Sequence, residues 1–248
     1  DEDFSAAVFA ERAQSAIKDV FLRGKVPVLC GGTGLYLDSV LRGVDFGELE
    51  PDPAYRAELA KFAEENGNEA LHAKLMAIDP EAAGAIHFNN VKRVIRALEI
   101  CKTSGMTKTE WDKKAIAHES PYEAIILALD YRDREMLYSR IDKRVDIMMK
   151  EGLLDEVKAL LDSGYLTPES TAGGAIGYKE LIGYFKGDLP LEDAVAAIKT
   201  ATRHYAKRQL TWLRRNQNIH WLYPDDYENK EMLSKAAFEV IQNANIFS

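Results

Sequence analysis

Residues 202–215, TRHYAKRQLTWLRR, carry five Lys or Arg side chains and no acid, in a 248-residue chain of formal net charge −8. A local field of one sign attracts polyanions whatever the net charge of the chain around it. On a helix turning about 100° per residue, the stretch sorts into three faces. Arg203, Lys207, Leu210 and Arg214 form one narrow band, and Tyr205, Ala206, Gln209, Trp212 and Leu213 lie roughly opposite. His204, Arg208, Thr211 and Arg215 make a third flank. One face can pack while the other two offer cations to a diphosphate or a nucleic acid. A solvated helix face would use the same residue types; the concentration of one sign in an acidic chain is what favours a polyanionic partner. Trp212 is read as a packed ring rather than a platform for stacked bases.

Three further clusters could do chemistry. CGGTGLY, residues 30–36, falls where a strand pattern gives way to a helix, the place at which open α/β sheets bind ligands. Gly31 and Gly32 allow close backbone approach, and Thr33 offers a hydroxyl near a helix N-terminus, although Gly-Gly-Thr is equally a serviceable turn and cap. NNVKRVIRAL, 89–98, sets Lys92, Arg93 and Arg96 on one helix, with Val94, Ile95 and Leu98 available for packing. GGAIGYK, 173–179, is a glycine-rich loop running into a helix, able to cradle a phosphate or simply to turn the chain. The five His and two Cys show no paired metal-ligand spacing, and no G-x-x-x-x-G-K-[ST] loop occurs.

The elements that must position these residues read as α/β. Ser5 caps a helix to about Arg23, ended by Gly24, and VPVLC, 26–30, is expected to be a short buried parallel strand. A helix closed by Gly43 follows. Residues 49–118 then read as helices alone: one opened by Asp52 and Pro53, one over EALHAKLMAIDP, one capped by Asn89 or Asn90, and a short one with a capping box at 107–110. A strand pattern returns at 122–130, with helices behind Asp133, over LLDEVKALLDSG, from about Tyr178, over 191–215 and over 229–244, and an edge strand at IHWLY. The expected organisation is therefore a parallel-sheet core from 1–48 and 119–248, with 49–118 as an all-helical insertion. An apolar content of 46% suits one sizeable core plus a smaller lobe. Two distant cysteines make no disulfide framework, no signal peptide or membrane span is apparent, and a cytoplasmic, monomeric protein is expected.

VPVLCGGTGLYLDSVLRG, HFNNVKRVIRALEICKTSG, AIGYKEL and TRHYAKRQLTWLRR, in this order and spacing, resemble the bacterial tRNA dimethylallyltransferases, also called tRNA isopentenyltransferases. The resemblance runs from about Glu2 to Trp221. It implies a P-loop-kinase-like, nucleotide-binding core whose helical insertion grips the anticodon arm. The implied reaction moves a dimethylallyl group from dimethylallyl diphosphate to the exocyclic amine of the adenosine 3′ of the anticodon, in tRNAs reading codons that begin with U. By the same resemblance Thr33 lines the reaction channel and touches the target adenosine, and Arg203 is directed at the diphosphate. Arg56, the segment Lys92, Arg93, Val94, Ile95 and Arg96, the loop Gly174, Ala175, Ile176, Gly177, Tyr178 and Lys179, and the segment Lys207, Arg208, Gln209, Leu210, Thr211, Trp212, Leu213 and Arg214 are implied tRNA contacts. Members of that family begin with a strand, a phosphate loop that helps bind Mg²⁺, and an aspartate held to be the general base. These 248 residues contain none of the three, which implies that this stretch alone transfers no prenyl group. Two other readings stand beside this one: transfer to free adenylate, and a non-catalytic RNA-binding fragment. The large insertion and the spread of basic segments argue against a small free acceptor.

Overall fold

The computed structural model describes residues 4–41, 49–115, 120–168 and 170–244. Its described residues are mostly helical, with a small parallel sheet, and they divide into two compact units: Asp1–Leu37 with Glu123–Ser248, and Asp38–Tyr122.

In the first unit, α1 (Ala6–Leu22) opens with the Ser5 hydroxyl accepting from the Val8 N–H, and the chain leaves it through Gly24 at φ 65°. Residues 26–30 do not form the expected strand. An apolar run becomes a strand only when a neighbour completes its ladder, and no described residue pairs with this one. Val28 is accordingly 86% exposed, and an apolar groove of about 390 Å³ runs between Phe9, Ala13 and Ile17 of α1 and the 27–33 segment. The helix α2 (Gly34–Leu41) follows, its residues from Asp38 counted in the second unit; Gly43, expected to close it, lies outside the described residues.

The second unit is built from α3 (Pro53–Asn66), α4 (Asn68–Ile78), α5 (Pro80–Ala85), α6 (Val91–Ser104) and α7 (Lys108–Ala115). Asp52 caps α3 ahead of Pro53, as expected. The stretch expected as one helix to Pro80 breaks at Asp79, whose carboxylate caps α5 through the Ala82 N–H and also accepts from the Thr109 N–H and hydroxyl. The capping box of α7 is present: Glu110 accepts from the Thr107 N–H, and Thr107 accepts from the Glu110 N–H. Asn90 occupies the cap position of α6 without a side-chain bond. Leu71, Leu75, Val94 and Leu98 are buried together, each stabilising the unit by about 1.5–3 kcal/mol.

The first unit resumes with β1 (Ile126–Leu129), α8 (Arg134–Lys150), α9 (Leu153–Asp162), α10 (Tyr178–Lys186), α11 (Leu191–Leu213), β2 (Ile219–Leu222) and α12 (Lys230–Asn243). β1 and β2 run parallel, with Ile126 opposite Ile219 and Leu129 opposite Leu222. Asp133 caps α8 through the Glu135 N–H. Val145, Leu153, Val157, Leu181, Ala194 and Ile198 form the core shared by α8 to α11.

Candidate functional site

The glycine loop and the basic helix meet. Tyr205, Gln209 and Trp212 recur at helical spacing on one face of α11, and all three face residues 32–34. The Thr33 hydroxyl lies 3.2 Å from the Tyr205 hydroxyl. A Cβ on Gly32 would fall 2.0 Å from Gln209 Nε2, at the movable end of that side chain, and one on Gly34 2.2 Å from the Trp212 ring, so the close approach requires glycine at 34 and only a shift of Gln209 at 32. Trp212 is thus a packed ring. The Thr33 carbonyl starts α2 by accepting from the Leu37 N–H, while its hydroxyl goes to Tyr205 rather than back to the helix. The side chain is exposed and free to serve another role besides capping.

The cation band of α11 is anchored by acids that the sequence did not reveal. Arg203 pairs with Asp142 of α8 at 3.1 Å, donates to the Thr200 hydroxyl and stands over the Tyr138 ring. Asp142 Oδ1 is buried with no hydrogen-bond partner among the described residues. Arg214 reaches Asp130 Oδ2 at 2.8 Å; this carboxylate, just past the carboxyl end of β1, is 4% exposed and also accepts from the Tyr131 N–H and Arg134. Leu210, expected to meet tRNA, is buried instead. Lys207, Arg208 and Thr211 are exposed, and beside them so are His204 and Arg215. On α11, Arg203 and Tyr205 stand about 200° apart around the helix, Arg203 toward α8 and Tyr205 toward Thr33.

In the helical unit the expected tRNA segment splits in two. Lys92 and Arg93 are exposed and make no ion pair among the described residues, whereas the Val94 and Ile95 side chains are buried in the core. Arg56 and Arg96 converge on Glu99 at 2.7 Å and 2.5 Å. Burial alone would raise the Glu99 carboxyl, but the Arg56, Arg96 and Asp52 N–H donors override it and hold it below its usual 4.5.

The loop of 170–177 is a series of tight turns in which a Cβ on Gly173 would fall 2.0 Å from the Thr167 carbonyl oxygen. Gly174, Ala175 and Lys179 are exposed; Ile176 and Tyr178 lean on the core, and Gly177 enters α10 at φ 100°, its N–H donating to Glu180. The Tyr178 hydroxyl donates to Glu156, which together with burial raises its pKa.

No group of three or more metal-ligating side chains occurs among the described residues, and none of their helices is long and apolar enough to cross a membrane. Missed by sequence reasoning were Tyr205 as the partner of Thr33, and Glu99, Asp130 and Asp142 as anchors of arginines. The spacing of Tyr205 with Trp212 was one signal present, and Arg96 with Glu99 and Asp130 with Arg134 stand at helical spacing; nothing local marks Asp142.

A parallel-sheet core that seats a glycine turn against a basic helix, in a chain that also carries an all-helical unit with its own cations, defines a transferase-type scaffold suited to an anionic donor and a polyanionic acceptor. The chain belongs to the IPP transferase family, whose profile matches residues 1–216. It is 47% identical to the tRNA dimethylallyltransferase of Bacillus velezensis over 243 residues, covering 97% of this chain and 75% of that one. Among solved structures it resembles the full-length tRNA isopentenylpyrophosphate transferase of Bacillus halodurans, with 41% identity, a TM-score of 0.66 and coverage of 97% and 74%. It also resembles a eukaryotic dimethylallyltransferase acting on tRNA, with 28% identity, a TM-score of 0.75 and coverage of 98% and 63%.

Proposed function

We propose that the protein transfers a dimethylallyl group from dimethylallyl diphosphate to the exocyclic amine of an adenosine beside the anticodon of tRNA. Membership of the prenyl-transferring family supports the reaction class, and relatives named for action on tRNA support the acceptor. The observation that carries the reading is the seating of Thr33 against Tyr205 on a helix that also bears Arg203, Lys207, Arg208 and Arg214. In the reaction the amine nitrogen bonds to the allylic carbon, the carbon–oxygen bond to diphosphate breaks with its electron pair leaving on oxygen, and the substituted amine gives up one proton. Catalysis of such a step needs a positioned nucleophile and cations on the leaving group. Thr33 is assigned to the target base and Arg203 to the diphosphate. Because Arg203 is paired with Asp142, donor binding draws on a guanidinium already aimed and keeps that partner on its inner edge. The adenine must leave its stack to reach Thr33, as enzymes acting on bases require. Arg56, Lys92, Arg93, Arg96, Lys179, Lys207, Arg208 and Arg214 are assigned to the RNA, mainly to its backbone.

The test is incorporation of labelled dimethylallyl from its diphosphate by the full-length protein, with an anticodon stem-loop and free adenylate as alternative acceptors. Label on the stem-loop adenosine is expected. Label on adenylate alone would overturn the assignment in favour of a free-nucleotide enzyme.

A further inference from the structure

Two arginines, one 43 positions from Glu99 and the other three, converge on its buried carboxylate. Glu99 is 0% exposed on the inner side of α6. Arg56 of α3 uses its Nε–H, at 2.7 Å from Oε1, and Arg96 uses Nη1, at 2.5 Å from Oε2. The Asp52 N–H fills a second site on Oε1 at 2.9 Å, and Asp52 is itself tied to Lys102 at 2.9 Å. One arginine would neutralise this carboxylate; a second leaves the cluster cationic. Each guanidinium spends one edge inward, and its other N–H groups sit on side chains 44% and 43% exposed, with no further side-chain acceptor among the described residues. A planar fork held on one edge is pre-organised to grip an oxyanion on the other.

We propose that Glu99 is a positioning residue for RNA binding: it holds Arg56 and Arg96 as a fixed pair whose outer edges meet backbone phosphates. The proposal rests on tRNA being the acceptor. It makes the two arginines one unit rather than two independent cations, and this property is testable.

Glu99→Gln keeps one acceptor oxygen. Turned toward Arg56 and the Asp52 N–H, it satisfies two donors and leaves its amide NH₂ facing Arg96, which is released. In the full-length protein tRNA affinity should fall roughly tenfold, and the salt slope of binding by somewhat under about one unit. Adding Arg96→Ala to Glu99→Gln should then cost nothing more, although Arg96→Ala alone costs about as much as Glu99→Gln. A merely structural Glu99 would lower the melting temperature but leave the effect of Arg96→Ala equal in both backgrounds, and that result would overturn the proposal. Should Glu99→Gln fail to fold, Arg96→Lys decides, since this side chain is at the surface. A lysine cannot bridge two oxyanions as a fork, so its loss of affinity should approach that of Arg96→Ala; wild-type affinity would again overturn the proposal. A wild-type protein that neither binds nor prenylates tRNA would refute the acceptor assignment itself. One that does both while Arg96→Ala binds normally would refute the positioning role alone.

Discussion

Thr33 has one hydroxyl, and its side-chain partner among the described residues is another hydroxyl, on Tyr205. Such a pair can trade its mutual bond for one to a ligand at little cost. Thr33→Ala should therefore lower single-turnover prenyl transfer by roughly tenfold, one polar contact to the target base being worth about 1–3 kcal/mol, with no loss of melting temperature. An unchanged rate would return Thr33 to the role of a turn residue. Arg203 and Arg93 should fail in different ways. Arg203→Ala removes a guanidinium from the Asp142 carboxylate, so weaker donor binding and a slower chemical step should come with a lower melting temperature. Arg93 has no ion pair among the described residues, so Arg93→Ala should weaken tRNA binding and flatten its salt dependence at unchanged stability. Titrations of both ligands against salt, with melting curves for each variant, separate these outcomes. Equal losses of both ligands in both variants would mean that the cations act as a diffuse field.

The contact between α11 and the glycine loop has a different tolerance at each glycine. A methyl on Gly32 would meet the far end of the Gln209 side chain, which can swing away; on Gly34 it would meet the Trp212 ring, which cannot. Gly34→Ala should thus cost about 1–3 kcal/mol in urea unfolding and disable transfer, whereas Gly32→Ala should cost under about 1 kcal/mol. Elements were legible where their determinants are local. Ser5, Asp52, Asp133 and the Thr107–Glu110 box each sit within three residues of the N–H groups they satisfy, so the starts of α1, α3, α8 and α7 could be read directly. VPVLC misled because a strand is defined by a partner, and an apolar run alone does not name one. The long-range partners of the acids were invisible for a related reason. Glu99, Asp130 and Asp142 pair with arginines 43, 84 and 61 positions away, so in sequence the arginines look unattached. Val94 and Ile95 fell inside a basic segment whose helical period turns them inward.

Across the whole molecule, the helical unit concentrates carboxylates held below their usual values. Burial pushes Asp79 up, but the donors from Ala82 and Thr109 outweigh it; Asp52 is lowered by the Tyr55 N–H and then Lys102, and Glu99 by its arginines despite burial. A carboxyl lowered in the fold contributes stability at pH values above its unfolded value, and that contribution is lost as pH falls through the folded one. Acid should therefore weaken this unit from about pH 4.5 downward. Asp79→Asn should be less stable than wild type at neutral pH, with the gap in urea midpoint closing as pH drops below 3.8. A gap that stays constant across that range would remove Asp79 from the acid response.

The second unit is also one unbroken stretch of chain, Asp38–Tyr122, set between the two stretches that make up the first. Among the described residues its apolar cluster runs from Tyr55 to Leu98, all synthesised before Ile126 exists. On the ribosome the helical unit can close while β1 has yet to appear and its partner at 219–222 is further off still. The emerging polypeptide would then carry a finished helical module, with Glu99 already paired to Arg56 and Arg96, ahead of the sheet that belongs to the other unit.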